Sequence, residues 1–219
     1  MNLAFRLRIE STMLVLASAS PRRKELLTQA GLTFTVEASE VLEDLLPKET
    51  AADYVSRLAE EKARAVFERR KSAEDDGDPL IVLGADTCVL SEGEILGKPR
   101  NREEARRMLQ GISGRTHQVL TGIAAVTRAG ATVATEISQV TVDLIDPDEL
   151  ETYLDTGEPL DKAGAYGIQG YAARWIPRIE GCYFNVVGLP IARTMDILAK
   201  ANAKLATPPH DPAATVVVP

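Results

Sequence analysis

A chain of 219 residues, 45% hydrophobic and 26% charged, carries enough apolar material for a buried core, which excludes a disordered polymer and fits one globular unit or two small lobes. Its formal net charge of −7 excludes the broad basic face that grips nucleic acid or an anionic membrane, so neither is expected as a partner. Cys88 and Cys182 lie far apart and outside any CxxC pair, which excludes a disulfide framework or a zinc finger and suits a reducing cytoplasm.

The amino-terminal stretch "MNLAFRLRIESTM" lacks the continuous apolar core of a signal peptide, and no later run is long enough to span a bilayer. Residues 1–12 read as an extension, with Met13 as an alternative start directly before the first strand. "LVLAS" (14–18) reads as a buried strand, Pro21 to Ala30 as a helix closed by Gly31, and "TFTVEAS" (33–39) as a second strand, a βαβ opening. In "TAADYVSRLAEEKARAVFERR" the residues Ala52, Val55, Leu58, Ala59, Lys62, Ala63 and Val66 fall on one helical stripe, with Thr50 or Asp53 as the cap. "SAEDDGDP" (72–79) is a polar connector. "LIVLGADTCVL" after it reads as a buried strand that places Asp86 at its end, and a hairpin is expected from Val89 to Leu96. "REEARRMLQGISG" makes a helix, and "THQVLTGIAAVTRAGATVATEISQVTVDLI" makes a long hairpin turning near Arg128 to Gly130. "DPDELETYLDTG" is a short capped helix. The last helix is expected from about Gly188 to Ala203, before a loose tail at 204–219.

Several of these junctions suit chemistry. "SASPRR" joins a strand to a helix whose first turn is set by Pro21. Free N–H groups there, with Ser18, Ser20, Arg22 and Arg23, suit an anion such as phosphate, although ordinary capping with solvated arginines explains the same residues. Asp86 in "GADT" sits where open α/β sheets bind ligands, or else it caps a turn. Lys98 in "GKP" stands on a stiff loop, and Lys62 interrupts an apolar stripe, where a lysine either snorkels to solvent or aims at an anion. "TGEPLDKAGAYGIQG" (156–170) contains Gly157, Gly164, Gly167 and Gly170, which let backbone approach a ligand, while Gln169 offers a donor and an acceptor to the edge of a base. Its spacing is neither GxGxxG nor a P-loop, which disfavours a dinucleotide dehydrogenase or a Walker-type ATPase. His117 and His210 form no metal cluster, and a Ser18 or Ser20 hydrolase with His117 and Asp86 would lack a GxSxG elbow.

Taken in order, "LASASPRRKELL", "GADTCV", "GKP", "SGRTHQVLTG", "EPLDKAGAYGIQG" and "VVGLP" resemble the Maf family of nucleoside triphosphate pyrophosphatases from roughly Leu14 to Leu198. The resemblance implies an α/β (mixed α+β) fold like that of the inosine triphosphate pyrophosphatases, with a central twisted mixed sheet, flanking helices and a cleft between two lobes, as a single domain over residues 13–203. It also implies hydrolysis of a nucleoside triphosphate to the monophosphate and pyrophosphate, and self-association as a homodimer. Arg22 after Pro21, Thr87 after Asp86, and Gln169 are similar to the branch acting on dTTP and UTP, which implies that these three residues select the base.

A mechanism joins that implication to the residues. A triphosphate carries about four negative charges, so an acidic protein must gather cations locally. Ser18, Arg23, Lys62 and Lys98 are expected to hold phosphates, with Lys98 and Asp86 as catalytic groups and Asp86 as the base for the attacking water. A divalent cation, Mg²⁺ or Mn²⁺, is expected on Glu43 and Asp86. The family pattern of an apolar residue, an acid and a glutamate here reads Val41, Leu42, Glu43, so Leu42 departs from it, and Glu40 or Asp44 can share the role of Glu43. A non-enzymatic nucleotide-binding regulator of septum formation is the other reading.

Overall fold

The computed structural model describes residues 12–71 and 79–206. Seven strands form one sheet: β1 (Met13–Ala17), β2 (Thr35–Val36), β3 (Leu80–Ser91), β4 (Glu94–Leu96), β5 (Thr116–Thr127), β6 (Gly130–Thr141) and β7 (Arg178–Glu180). The order is β2-β1-β3-β5-β6-β7, with β4 also paired to β3. β1 runs parallel to β2 and β3, and the remaining pairs are antiparallel. The mixed sheet and its helices match the expected fold class. Six α-helices accompany it among the described residues: α1 (Pro21–Gln29), α2 (Ala51–Arg70), α3 (Arg102–Ile112), α4 (Pro147–Asp155), α5 (Tyr183–Val187) and α6 (Ile191–Ala206).

Strand alternation sorts the core. Val15 and Ala17 of β1 pack with α2, while Leu14 and Leu16 pack with Leu26, Leu27 and the α6 residues Ile197 and Leu198. Because both faces are covered, β1 and the first half of β3 read as continuous apolar runs. A further cluster of Val89, Leu109, Val119, Tyr153, Tyr166 and Trp175 forms around α3 and α4. Val89, Val119 and Tyr166 of this cluster also line a cleft.

The helix signals resolve into specific caps. Thr50 accepts the N–H of Asp53 at 3.2 Å and donates its hydroxyl to the Asp53 carboxylate at 2.7 Å, so both candidate caps of α2 take part. α2 also lies unusually close to the sheet. A Cβ on Gly84 would fall 2.1 Å from the carbonyl oxygen of Ala59, and one on Gly122 would fall 2.1 Å from that of Val55. Only glycine in both strands permits that approach, and the approach carries Lys62 to the sheet.

Some boundaries differ from expectation. The second strand is Thr35–Val36 alone, because the exposed residues around it give it no second face to bury. The last helix starts at Ile191, after the separate turn of α5, since Gly188 and Pro190 interrupt the backbone ladder. It continues to Ala206, so residues 204–206 are helical. The connector at 72–78, the extension up to residue 11 and the tail from 207 lie outside the described residues. Among the described residues no helix is long and apolar enough to cross a membrane.

Candidate active site

Asp86 does not end its strand, as expected, but sits within β3, which continues to Ser91. What ends there is its neighbour. β1 stops at Ala17, opposite Gly84, and β4 begins pairing only at Val89. β5 continues along the other edge, with Asp86 opposite Gly122, and this pairing keeps β3 extended across the gap. The edge of β3 from Ala85 to Cys88 therefore opens into a cleft of about 730 Å³. Ser18, Arg22, Arg23, Glu43, Lys62, Asp86, Thr87, Lys98 and Gln169 all line it. Residues up to 171 positions apart in the chain, from Ala17 to Gly188, thus share one space.

On the α2 side, the Lys62 ammonium donates to Asp86 Oδ1 at 2.6 Å and to Glu43 Oε1 at 2.5 Å. Lys62 is 7% exposed and Asp86 6%, so this lysine does not snorkel to solvent. Burial raises the pKa of Asp86 despite the opposing charges of Lys62 and Arg23. Burial pushes Glu43 the same way, but its hydrogen bond to Lys62 and the charges of Lys62, Lys98 and Arg23 together hold it low. The Tyr54 hydroxyl donates to the Glu43 carbonyl at 3.0 Å and fixes that loop. Leu42 is 80% exposed, so the departure from the family pattern there leaves the Glu43–Lys62 pair intact. Glu40 and Asp44 are absent from the cleft lining.

On the opposite face Arg23 is clamped by the protein itself. It donates to the Gly188 carbonyl at 2.9 Å, the Ala85 carbonyl at 2.8 Å, Ser18 Oγ at 3.3 Å and Thr87 Oγ1 at 3.1 Å. These four bonds leave one of the five guanidinium N–H groups for a ligand. Desolvation lowers the Arg23 pKa while Asp86 and Glu43 raise it. Gly188 belongs to "VVGLP", so that segment reaches the site by holding an arginine.

The glycine-rich segment forms the remaining wall. Arg22 reaches across the cleft to Asp161 at 3.1 Å. Lys162 donates to Asp161 at 2.6 Å and to the Glu158 carbonyl at 2.7 Å. A Cβ on Gly167 would strike the Lys162 side chain at 2.6 Å, and one on Gly170 would strike the Glu158 carboxylate at 2.0 Å. The two glycines flanking Ile168 and Gln169 thus accommodate side chains of their own loop. Sequence reasoning missed Tyr54, Glu158, Asp161 and Lys162 as lining residues. Their charges are visible in "EPLDK" and "ADYVS", but no local pattern says which side chains face inward. Lys98 stands exposed at the rim.

His117 belongs to no triad. Its Nε2 bonds the Tyr166 hydroxyl at 2.7 Å, while Ser18 accepts from Arg23 and from the Ser20 N–H. A Ser-His-Asp arrangement is thereby ruled out by the geometry.

A family model described as "Maf-like protein" matches residues 13–201. The chain belongs to the Maf-like protein family. It is similar to the "dTTP/UTP pyrophosphatase" of Hahella chejuensis, 46% identical over 192 residues that cover 88% of this chain and 94% of the relative. It is also similar to proteins of the same description from Symbiobacterium thermophilum, 50% identical with 85% and 93% covered, and from Moorella thermoacetica, 50% identical with 85% and 93% covered. Every segment lining the cleft of this Maf-like chain lies inside the matched residues.

The Maf-like cleft offers limited ligation for a metal. Among the described residues no group of three or more His, Cys, Asp or Glu side chains can hold an ion. Two carboxylates, Glu43 and Asp86, do converge on one point, the Lys62 ammonium. Such a pair fits a hard divalent cation that takes most of its oxygens from phosphates, the usual habit of Mg²⁺.

Proposed function

We propose that this chain hydrolyses dTTP and UTP between the α and β phosphates, releasing the nucleoside monophosphate and pyrophosphate. The observation that carries the reading is a buried carboxylate, Asp86, at an open strand edge in a cleft that also holds Arg22, Arg23, Lys62, Lys98 and Lys162. The description of the relatives supports the same chemistry.

In this reading Asp86 Oδ1 stays on Lys62 while Oδ2 takes a proton from water. The water oxygen bonds the α phosphorus, and the bridging oxygen departs with pyrophosphate. A carboxylate raised above its ordinary range is the better base. Lys98, Ser18 and the free N–H of Arg23 hold phosphate oxygens and stabilise the departing charge. Lys62 bridges Asp86 and Glu43 and offsets the repulsion between the two carboxylates. Glu43 and Asp86 would hold Mg²⁺ or Mn²⁺, which supplies charge neutralisation on the polyphosphate. Arg22, Thr87 and Gln169 select the base, Arg22 being held in place by Asp161.

The test is pyrophosphate release from the eight common nucleoside triphosphates by wild type and by Asp86→Asn. Turnover is expected on dTTP and UTP first, with the variant slower by about 10² or more and KM little changed. Near-normal turnover by the variant refutes the role of Asp86. Binding without cleavage by wild type refutes the enzyme and supports the nucleotide-binding regulator.

A further inference from the structure

From Thr87 a hydrogen-bonded chain runs across one face of the sheet, through the Thr121 hydroxyl to the Asn185 carbonyl. Thr87 and Thr121 are directly opposed in the β3–β5 register, and their hydroxyl oxygens are 2.9 Å apart. Thr121 is fully buried and donates to the Asn185 carbonyl at 3.1 Å. The Asn185 amide nitrogen is itself anchored on the Val119 carbonyl at 2.9 Å and on Ser138 Oγ at 3.0 Å. At the cleft end, Arg23 donates to Thr87 Oγ1.

Each hydroxyl has one hydrogen and two lone pairs, so the direction of the chain can be deduced. The Asn185 carbonyl only accepts, which engages the hydrogen of Thr121. Arg23 only donates, which engages one lone pair of Thr87. The bond between the threonines is then made with the Thr87 hydrogen, giving Arg23 to Thr87 to Thr121 to Asn185. The reverse orientation forfeits the bond from buried Thr121 to the carbonyl, and aligned chains reinforce one another. Thr87 is left with one lone pair and no hydrogen for the cleft.

We infer that Thr121 is a positioning residue that makes Thr87 an acceptor toward the substrate, so that a base presenting an N–H is favoured over one presenting a lone pair. The inference rests on the proposed role of Thr87 in reading the base. Uracil and thymine carry a hydrogen on N3, whereas N3 of cytosine carries a lone pair, so Thr87 meets the former with a hydrogen bond and the latter with repulsion. Thr121 itself never touches the substrate.

The test compares kcat/KM for UTP and CTP in wild type, Thr121→Val and Thr121→Ser. Valine matches threonine in shape but cannot accept the Thr87 hydrogen, which then turns to the cleft. The UTP-to-CTP ratio is expected to narrow about tenfold in Thr121→Val and to stay within about twofold of wild type in Thr121→Ser. An equal loss on both nucleotides, or an unchanged ratio, overturns the inference, because a purely structural role moves both rates together. Thr121→Ala gives the same comparison if valine disturbs folding. Wild type can also be assayed on UTP methylated at N3, where cleavage as fast as that of UTP again overturns the inference. Wild type that cleaves no nucleotide removes the enzymatic reading as well, whereas turnover with an unmoved ratio removes this inference alone.

Discussion

Lys62→Met isolates the charge at the centre of the site, because methionine has a similar reach and no ammonium. Both members of the Lys62–Asp86 pair are buried, with side chains 9% and 8% exposed. Stripping a partner from a buried ion pair costs about 3–5 kcal/mol if the remaining charge stays ionised. Glu43 and Asp86 share the same nitrogen, so their bonded oxygens lie at most about 5 Å apart, and they would repel by about 3 kcal/mol at an effective dielectric of 20. Glu43 is 42% exposed, and screening reduces that term to about 1 kcal/mol. Both effects favour the protonated acid, so Asp86 takes up a proton where wild type keeps it ionised. Activity at neutral pH is expected to fall by about 10²–10³, with the acid limb of the kcat/KM profile displaced upward and partial recovery in alkali. Pyrophosphate release measured across the pH range for both proteins reads this directly. A uniform loss at every pH, with the acid limb unmoved, would refute the electrostatic account and leave Lys62 as a phosphate ligand only.

Two further expectations concern stability. Gly84→Ala drives a Cβ into the Ala59 carbonyl at 2.1 Å and the Ala63 nitrogen at 2.9 Å. Backbone must move, so a loss of about 3 kcal/mol and a Tm lower by about 6–12 °C are expected, and thermal unfolding within 2 °C of wild type would contradict the close packing. His117 is 3% exposed, and burial lowers its pKa from 6.5 to about 4. The unfolded chain therefore binds this proton first, and stability is lost as pH falls from 6.5 toward 4, by up to about 3 kcal/mol. His117→Gln can still bond Tyr166 without titrating, and its stability should be flatter over that range in denaturant titrations. Parallel curves for the two proteins would exclude this source of acid sensitivity.

Much of the architecture is legible along the chain because it depends on local pattern. The turn at Arg128 to Gly130 joins β5 and β6 as the spacing predicts, and Thr50 with Asp53 caps α2. The cleft residues are legible for a different reason: their motifs stand out as charged or glycine-rich interruptions of apolar segments. The close approach of α2 at Gly84 and Gly122, by contrast, is shown only by the structure. An apolar run meeting a carboxylate looks like a terminus, so the sequence pattern puts a strand end at Asp86 where the structure has none. The pairing with β5 that carries β3 onward comes from residues over thirty positions away.

The order of strands and helices, the turn chemistry at Pro21 and the set of polar residues available for a site follow from the sequence by itself, since periodicity and backbone preference act over a few neighbouring residues. Which of those polar groups meet was decided only by the tertiary structure. Lys62 between Glu43 and Asp86, Arg23 engaged by the Gly188 and Ala85 carbonyls, and Thr87 backed by Thr121 all depend on strand register and on the distance between α2 and the sheet. Hydrogen bonds and ion pairs change markedly over an ångström, and that precision arises from packing between segments remote in the chain.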